Sequence, residues 1–141
     1  MESRVLFLCT DNSSRSQLAE ALLRKHAPKR FSAFSAGLRP AEIHPLAYRV
    51  MEEIGVSIER QAAKGIKEFL GKVTFLWAII VCDENEPNCP RIYPDALQTI
   101  HWPLQDPARG DGTEEERLTR FRQARDEIDQ RIRLWLEDVP A

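Results

Sequence analysis

Apolar residues fall into runs of strand length that alternate with stretches of helical period. Val5 to Leu8 is an apolar run that breaks into polar Thr10-Asp11-Asn12, after which Leu18, Ala19, Ala21, Leu22 and Leu23 recur at helical spacing. The pattern predicts strand, loop, helix. Phe31 to Ser35 predicts a second strand closed by Gly37, and Pro45 suits the first turn of a helix carrying Leu46, Ala47, Val50, Met51 and Ile54 on one face, with Gly55 as its cap. Ile66, Phe69 and Leu70 predict a short helix and Trp77 to Val81 a third strand, while Pro87, Pro90 and Pro94 keep the next stretch irregular. Gln98 to Trp102 is the last candidate strand. From Thr113 onward Leu118, Phe121, Ile128, Ile132, Trp135 and Leu136 keep a helical period among many charges, the mark of a long amphipathic helix.

This alternation predicts an α/β fold: an open, mostly four-stranded parallel sheet with helices on both faces and right-handed crossovers. Ligands bind such sheets beyond the carboxyl ends of the strands. Cys9 directly follows the first predicted strand, Cys82 the third, and Asp106 lies just past the fourth, so all three converge on one sheet edge. With 141 residues and 43% hydrophobic content, the chain is expected to form a single domain, 1–141, and it carries no repeat or linker. Charged residues make up 30% of the chain but sum to -2, which argues against nucleic acid and anionic membrane as partners. The first apolar run is too short for a signal peptide or a membrane span, so a cytoplasmic location is expected. Three cysteines, an odd number, point to thiols or one reversible pair rather than a structural disulfide framework.

The segment Cys9-Thr10-Asp11-Asn12-Ser13-Ser14-Arg15-Ser16 joins a buried strand to a helix, so its backbone N–H groups and the helix N-terminus can surround an anion. Arg15 adds a fixed charge and a planar donor fork, and the five residues between it and Cys9 let the loop curl around the thiol. This positive environment is expected to lower the thiol pKa. Cysteine, five residues, arginine and serine at a strand-helix junction resemble the loop of protein tyrosine phosphatases, especially the low-molecular-weight family and the arsenate reductases that share its fold. By that resemblance Cys9 is the nucleophile, Arg15 the oxyanion clamp, Ser16 a hydroxyl stabilising the thiolate and Asn12 a residue that holds the loop in shape. Two positions depart from the family, which commonly has glycine in place of Asp11 and often a second cysteine in place of Ser14. A carboxylate repels an oxyanion, so the Asp11 side chain is expected to turn outward to solvent.

Asp106-Pro107 stands where both families carry their general acid, which implies that Asp106 protonates the departing oxygen. Cys82 and Cys89, separated by six residues, favour reduction over hydrolysis, because arsenate reduction needs two electrons that one thiol cannot deliver catalytically. Resemblance to thioredoxin-coupled arsenate reductases implies an order: Cys9 attacks arsenate, Cys82 attacks Cys9, and Cys89 attacks Cys82, leaving a disulfide for an external reductant. Thioredoxin, or glutathione with glutaredoxin, suits that role, and no bound cofactor is implied. In related reductases the positions of Asn12, Glu20 and Ser35 contribute to a potassium site, but Lys64 falls near an expected acidic partner and a lysine ammonium can take the same electrostatic role. The cysteine spacing gives no tetrahedral zinc motif, and His26, His44 and His101 have ordinary capping or packing roles. Two other readings stay open: a tyrosine or small-molecule phosphatase using Cys9, Arg15 and Asp106 alone, and a non-catalytic oxyanion or arsenite sensor.

Overall fold

The computed structural model describes residues 3–139. Four strands, β1 (Arg4–Cys9), β2 (Ser32–Gly37), β3 (Phe75–Ile80) and β4 (Ala96–His101), form one all-parallel sheet in the order β2-β1-β3-β4. Three α-helices follow the helical periods: α1 (Arg15–His26), α2 (Pro45–Glu52) and α3 (Glu114–Asp138), with a 3₁₀ turn at Ile66–Glu68. Because the strands are parallel, Cys9, Gly37, Ile80 and His101 end them on one edge, paired Cys9 with Gly37 and Ile80 with His101. The chain leaves β1 toward β2 on one side and later returns to β3 on the other, which makes the end of β1 the switch point of the sheet.

Strand side chains alternate between two covered faces. Ser35 donates to Glu20 of α1, and Trp77 meets Trp135 of α3 edge-on at 5.6 Å, so α1 and α3 cover one face. On the other, Phe34 meets Phe69, just after the 3₁₀ turn, at 5.9 Å. Val5 to Cys9 are all fully buried, as a central strand covered on both faces requires. Helix α3 starts with a full capping box, Thr113 accepting from the Glu116 amide and Glu116 from the Thr113 amide.

The element ends move by a residue or two from those the sequence predicts. Cys9 is the last residue of β1 rather than the first after it, and Cys82 is separated from β3 by Val81. Helix α2 ends at Glu52, before the expected Ile54. Gly55, at φ 76°, sits in the turn beyond, where the Val56 amide donates to the Met51 carbonyl. Pairing with neighbouring strands decides the strand ends and the turn beyond Glu52 decides the helix end, and apolar periodicity records neither.

Candidate active site

The loop from Cys9 to Ser16 is a cradle whose carbonyls are turned outward. Those of Cys9, Thr10, Asp11 and Ser13 accept from the amides of Leu38, Arg39, Ala41 and His44, and that of Asn12 accepts from the Gln17 side chain. Outward carbonyls leave the amides facing the concavity at the N-terminus of α1, the arrangement that binds anions. Gly37 allows the close approach: a Cβ there would lie 2.7 Å from the Asn12 amide nitrogen and from the Asp11 carbonyl carbon. The left-handed residue in the turn is Asn12, at φ 57°, not Asp11. Its side chain donates to Ser16 and Ser35 hydroxyls at 2.8 and 3.0 Å and accepts from Gln17 and the Lys64 amide, which offsets the cost of that conformation.

Cys9 carries a free, fully buried thiol. Its Sγ lies 2.8 Å from Ser16 Oγ and accepts from the Asn12 amide at 3.2 Å. Burial pushes the thiol above its ordinary value; Arg15 and the Ser16 hydroxyl and amide pull it down without cancelling the rise, and Asp11 adds to it. The lowered thiol expected from sequence is therefore not found in this state, since the burial that shields the sulfur disfavours its charged form. Asp11 also departs from expectation. It is only partly exposed, and its Oδ1 accepts from the Ser13 amide at 3.1 Å, so the carboxylate folds back over its own loop in an Asx turn and occupies one cradle donor. The Ser14 hydroxyl is buried at the start of α1 without a hydrogen-bond partner.

Arg15 is 2% exposed and donates to the Leu104 carbonyl at 2.8 Å, which links the cradle to the loop that bears Asp106. Asp106 Oδ2 is 4.0 Å from Arg15, and its Oδ1 accepts from the Ala108 amide. Cys82 and Cys89 form a disulfide with Cα atoms 5.9 Å apart. The structure thus gathers Cys9, Thr10, Asp11, Asn12, Ser13, Ser14, Arg15 and Ser16 in one loop at the N-terminus of α1, with Asp106 beside Arg15 and the cysteine pair on an adjoining loop at the same sheet edge.

Two residues hold this arrangement: Glu86, which the sequence did not single out, and His101, for which it predicted only an ordinary capping or packing role. Glu86, between the two cysteines, binds the Arg15 fork with both carboxylate oxygens, at 2.5 and 2.8 Å. It also accepts from Thr10 Oγ1 at 3.0 Å and from the Asp83 amide at 2.9 Å. Burial favours its neutral form, but Arg15, the Asp83 amide and Thr10 outweigh that and hold its pKa below the ordinary carboxylate range. His101 Nε2 lies 2.8 Å from the Cys82 carbonyl, which can only accept, so that nitrogen carries a proton. No local motif marks either residue; each acquires its partner by folding. His44 instead caps α2, its Nδ1 accepting from the Leu46 amide, and His26 meets Asp129 at 2.6 Å.

Asn12, Glu20 and Ser35 do not fit a potassium ion in this chain. The Lys64 ammonium stands 3.8 Å from Glu20 Oε1 and 3.5 Å from Ser35 Oγ and donates to the Ala62 carbonyl at 2.7 Å, so a cation is already supplied. Among the described residues, no helix is long and apolar enough to cross a membrane.

Comparison with known proteins places this architecture. Residues 4–141 match the family described as low molecular weight phosphotyrosine protein phosphatase. An arsenate reductase of Halalkalibacterium halodurans is 37% identical over 134 residues, covering 94% of each chain. One of Bacillus subtilis is 34% identical over 139 residues, covering 97% of this chain and 98% of the relative. Among solved structures, an arsenate reductase from Archaeoglobus fulgidus superposes with a TM-score of 0.78 at 27% identity, over 95% of this chain and 99% of its own. A thioredoxin-dependent arsenate reductase from Corynebacterium glutamicum gives a TM-score of 0.70 at 31% identity, over 96% of this chain and 61% of its own. With the cysteine-to-arginine cradle at the switch point of a four-stranded parallel sheet and matches running nearly end to end, the chain belongs to the low molecular weight phosphotyrosine protein phosphatase family.

Proposed function

We propose that this protein reduces arsenate to arsenite through Cys9, Cys82 and Cys89. The observation that carries the reading is the Cys82–Cys89 disulfide at the same sheet edge as the free thiol of Cys9, a pair that phosphate-ester hydrolysis does not need. The arsenate reductases of H. halodurans and B. subtilis, similar over nearly their full lengths, support it. The cradle amides and Arg15 hold the oxyanion, and the Cys9 thiolate displaces one arsenate oxygen, which Asp106 protonates so that it leaves as water. Cys82 then attacks Cys9 Sγ. The sulfur-arsenic electron pair passes to arsenic, arsenite departs, and a Cys9–Cys82 disulfide forms. Attack of Cys89 on Cys82 frees Cys9 and leaves the Cys82–Cys89 disulfide. Two electrons and two protons from an external dithiol close the cycle, and the thioredoxin-dependent relative favours a protein dithiol of thioredoxin type over glutathione with glutaredoxin.

Arsenite production by the reduced protein with thioredoxin, thioredoxin reductase and NADPH tests this, run beside aryl phosphate hydrolysis. Turnover lost in Cys9→Ser, Cys82→Ser and Cys89→Ser is expected, with weak aryl phosphatase activity remaining in the two latter variants. Aryl phosphate hydrolysis untouched by Cys82→Ser, with no arsenate turnover from either donor, overturns the reductase reading in favour of a phosphatase.

A further inference from the structure

We propose that Glu86 is a built-in competitor for Arg15, the clamp of the oxyanion cradle, in the disulfide form, so that the oxidised protein binds oxyanions more weakly until the disulfide is reduced. The inference rests on the reading of Cys9 to Ser16 as the oxyanion cradle. Glu86 is 8% exposed and its carboxylate engages the guanidinium with two parallel bonds, the geometry by which arginine binds any planar oxyanion edge. Thr10 at the cradle rim donates to the same carboxylate. An incoming oxyanion would have to share Arg15 with a charge of its own sign, and Asp106, 4.0 Å from the guanidinium, adds a second. The Ser13 amide is meanwhile taken by Asp11. Arg15, the Thr10 hydroxyl and the Ser13 amide, three of the donors an oxyanion would use, are thus already engaged by carboxylates of the chain itself.

The link to redox state lies in where Glu86 sits. The disulfide closes the loop from Cys82 to Cys89 with Glu86 inside it. Within that loop the Glu86 amide donates to the Asp83 carbonyl and the Cys89 amide to the Glu86 carbonyl. Closing so short a loop restricts its conformations and raises the effective concentration of the carboxylate at Arg15. Reduction by an external dithiol, which supplies two electrons and two protons and becomes a disulfide itself, gives two thiols and removes that restriction. An oxyanion then competes against an untethered glutamate. The consequence is a bias toward an ordered cycle: the oxidised protein rebinds substrate or a competing anion more weakly until it is reduced, and Glu86 acts as a positioning residue through Arg15.

Binding of inorganic phosphate, which thiols do not reduce, measured by titration calorimetry on disulfide and fully reduced protein tests the proposal. We expect the oxidised wild type to bind about tenfold more weakly than the reduced form, and Glu86→Gln to bring oxidised binding to within about threefold of reduced. In oxidised Glu86→Gln, Cys9 alkylation by iodoacetamide should also rise several-fold at neutral pH, because an Arg15 relieved of the Glu86 charge favours the thiolate; a merely structural role would not move that rate. Equal phosphate binding by both redox forms of the wild type, or an oxidised Glu86→Gln variant as weak as the wild type, overturns the proposal. Absence of phosphate binding in every form overturns the cradle reading and the proposal with it, an outcome distinct from equal binding.

Discussion

The two loops that meet at this site are built in opposite ways. The cradle at residues 9–16 is fixed largely by backbone: its carbonyls are tied to residues 38–44, its left-handed turn is held by two bonds that the Asn12 side chain donates and two that it accepts, and residues 12 to 16 are buried. The loop from Cys82 to Cys89 is instead held to the rest of the protein largely by side chains, Glu86 on Arg15 and Thr10 and His101 on the Cys82 carbonyl, together with its own disulfide. A scaffold fixed by strand and helix can hold reacting atoms within the tight tolerances that anion capture needs. A loop held by one disulfide and a few side chains can be released, as electron transfer between successive thiols requires.

Breaking the fixed half should have the largest effect. Cys9→Ser removes the nucleophile and is expected to lower arsenite production by at least about a thousandfold, read as kcat with the thioredoxin system. Arg15→Lys keeps the charge but loses the planar fork, and kcat/KM for arsenate should fall about a hundredfold. Gly37→Ala sets a Cβ against the Asn12 and Asp11 backbone, so urea unfolding should show a loss of about 1–3 kcal/mol together with weaker phosphate binding.

The releasable half gives smaller effects that sharpen the contrast. Glu86 is held below the ordinary carboxylate range in the folded protein, so its contribution to stability is present above the unfolded carboxylate pKa and is lost as pH falls through the lower folded value. Acid titration of the oxidised wild type should therefore show a stability loss in that window, and in Glu86→Gln the slope should flatten. His101→Ala removes one hydrogen bond on the Cys82 carbonyl. A loss of about 0.5–1.5 kcal/mol and faster reduction of the disulfide by dithiothreitol are expected, and unchanged reduction kinetics would separate His101 from the relay loop.

Much of this was legible in the chain. Val5 to Leu8 and Trp77 to Val81 read as buried strands because residues covered on both faces are continuously apolar. The stretch from Thr113 read as a helix because one face keeps the 3.6-residue period and its capping box is local. Strand ends were less legible, since Cys9 joins β1 only through pairing with Gly37. The Asp11 side chain and the Cys9 thiol came out against expectation for a related reason: each depends on which donors and charges surround it after folding, and on how deeply the sulfur is buried.

By itself, the sequence determined the chemistry and the alternation that delivers it: a cysteine and an arginine with five residues between them in one loop, two further cysteines, and strands and helices set by periodicity. Those features are local, and short-range spacing fixes them. The tertiary structure alone decided that Arg15 meets a glutamate 71 positions away and that His101 reaches the Cys82 carbonyl. Each of these contacts depends on strand order and loop path, and a charged side chain takes its partner from whatever the fold brings within a few ångströms.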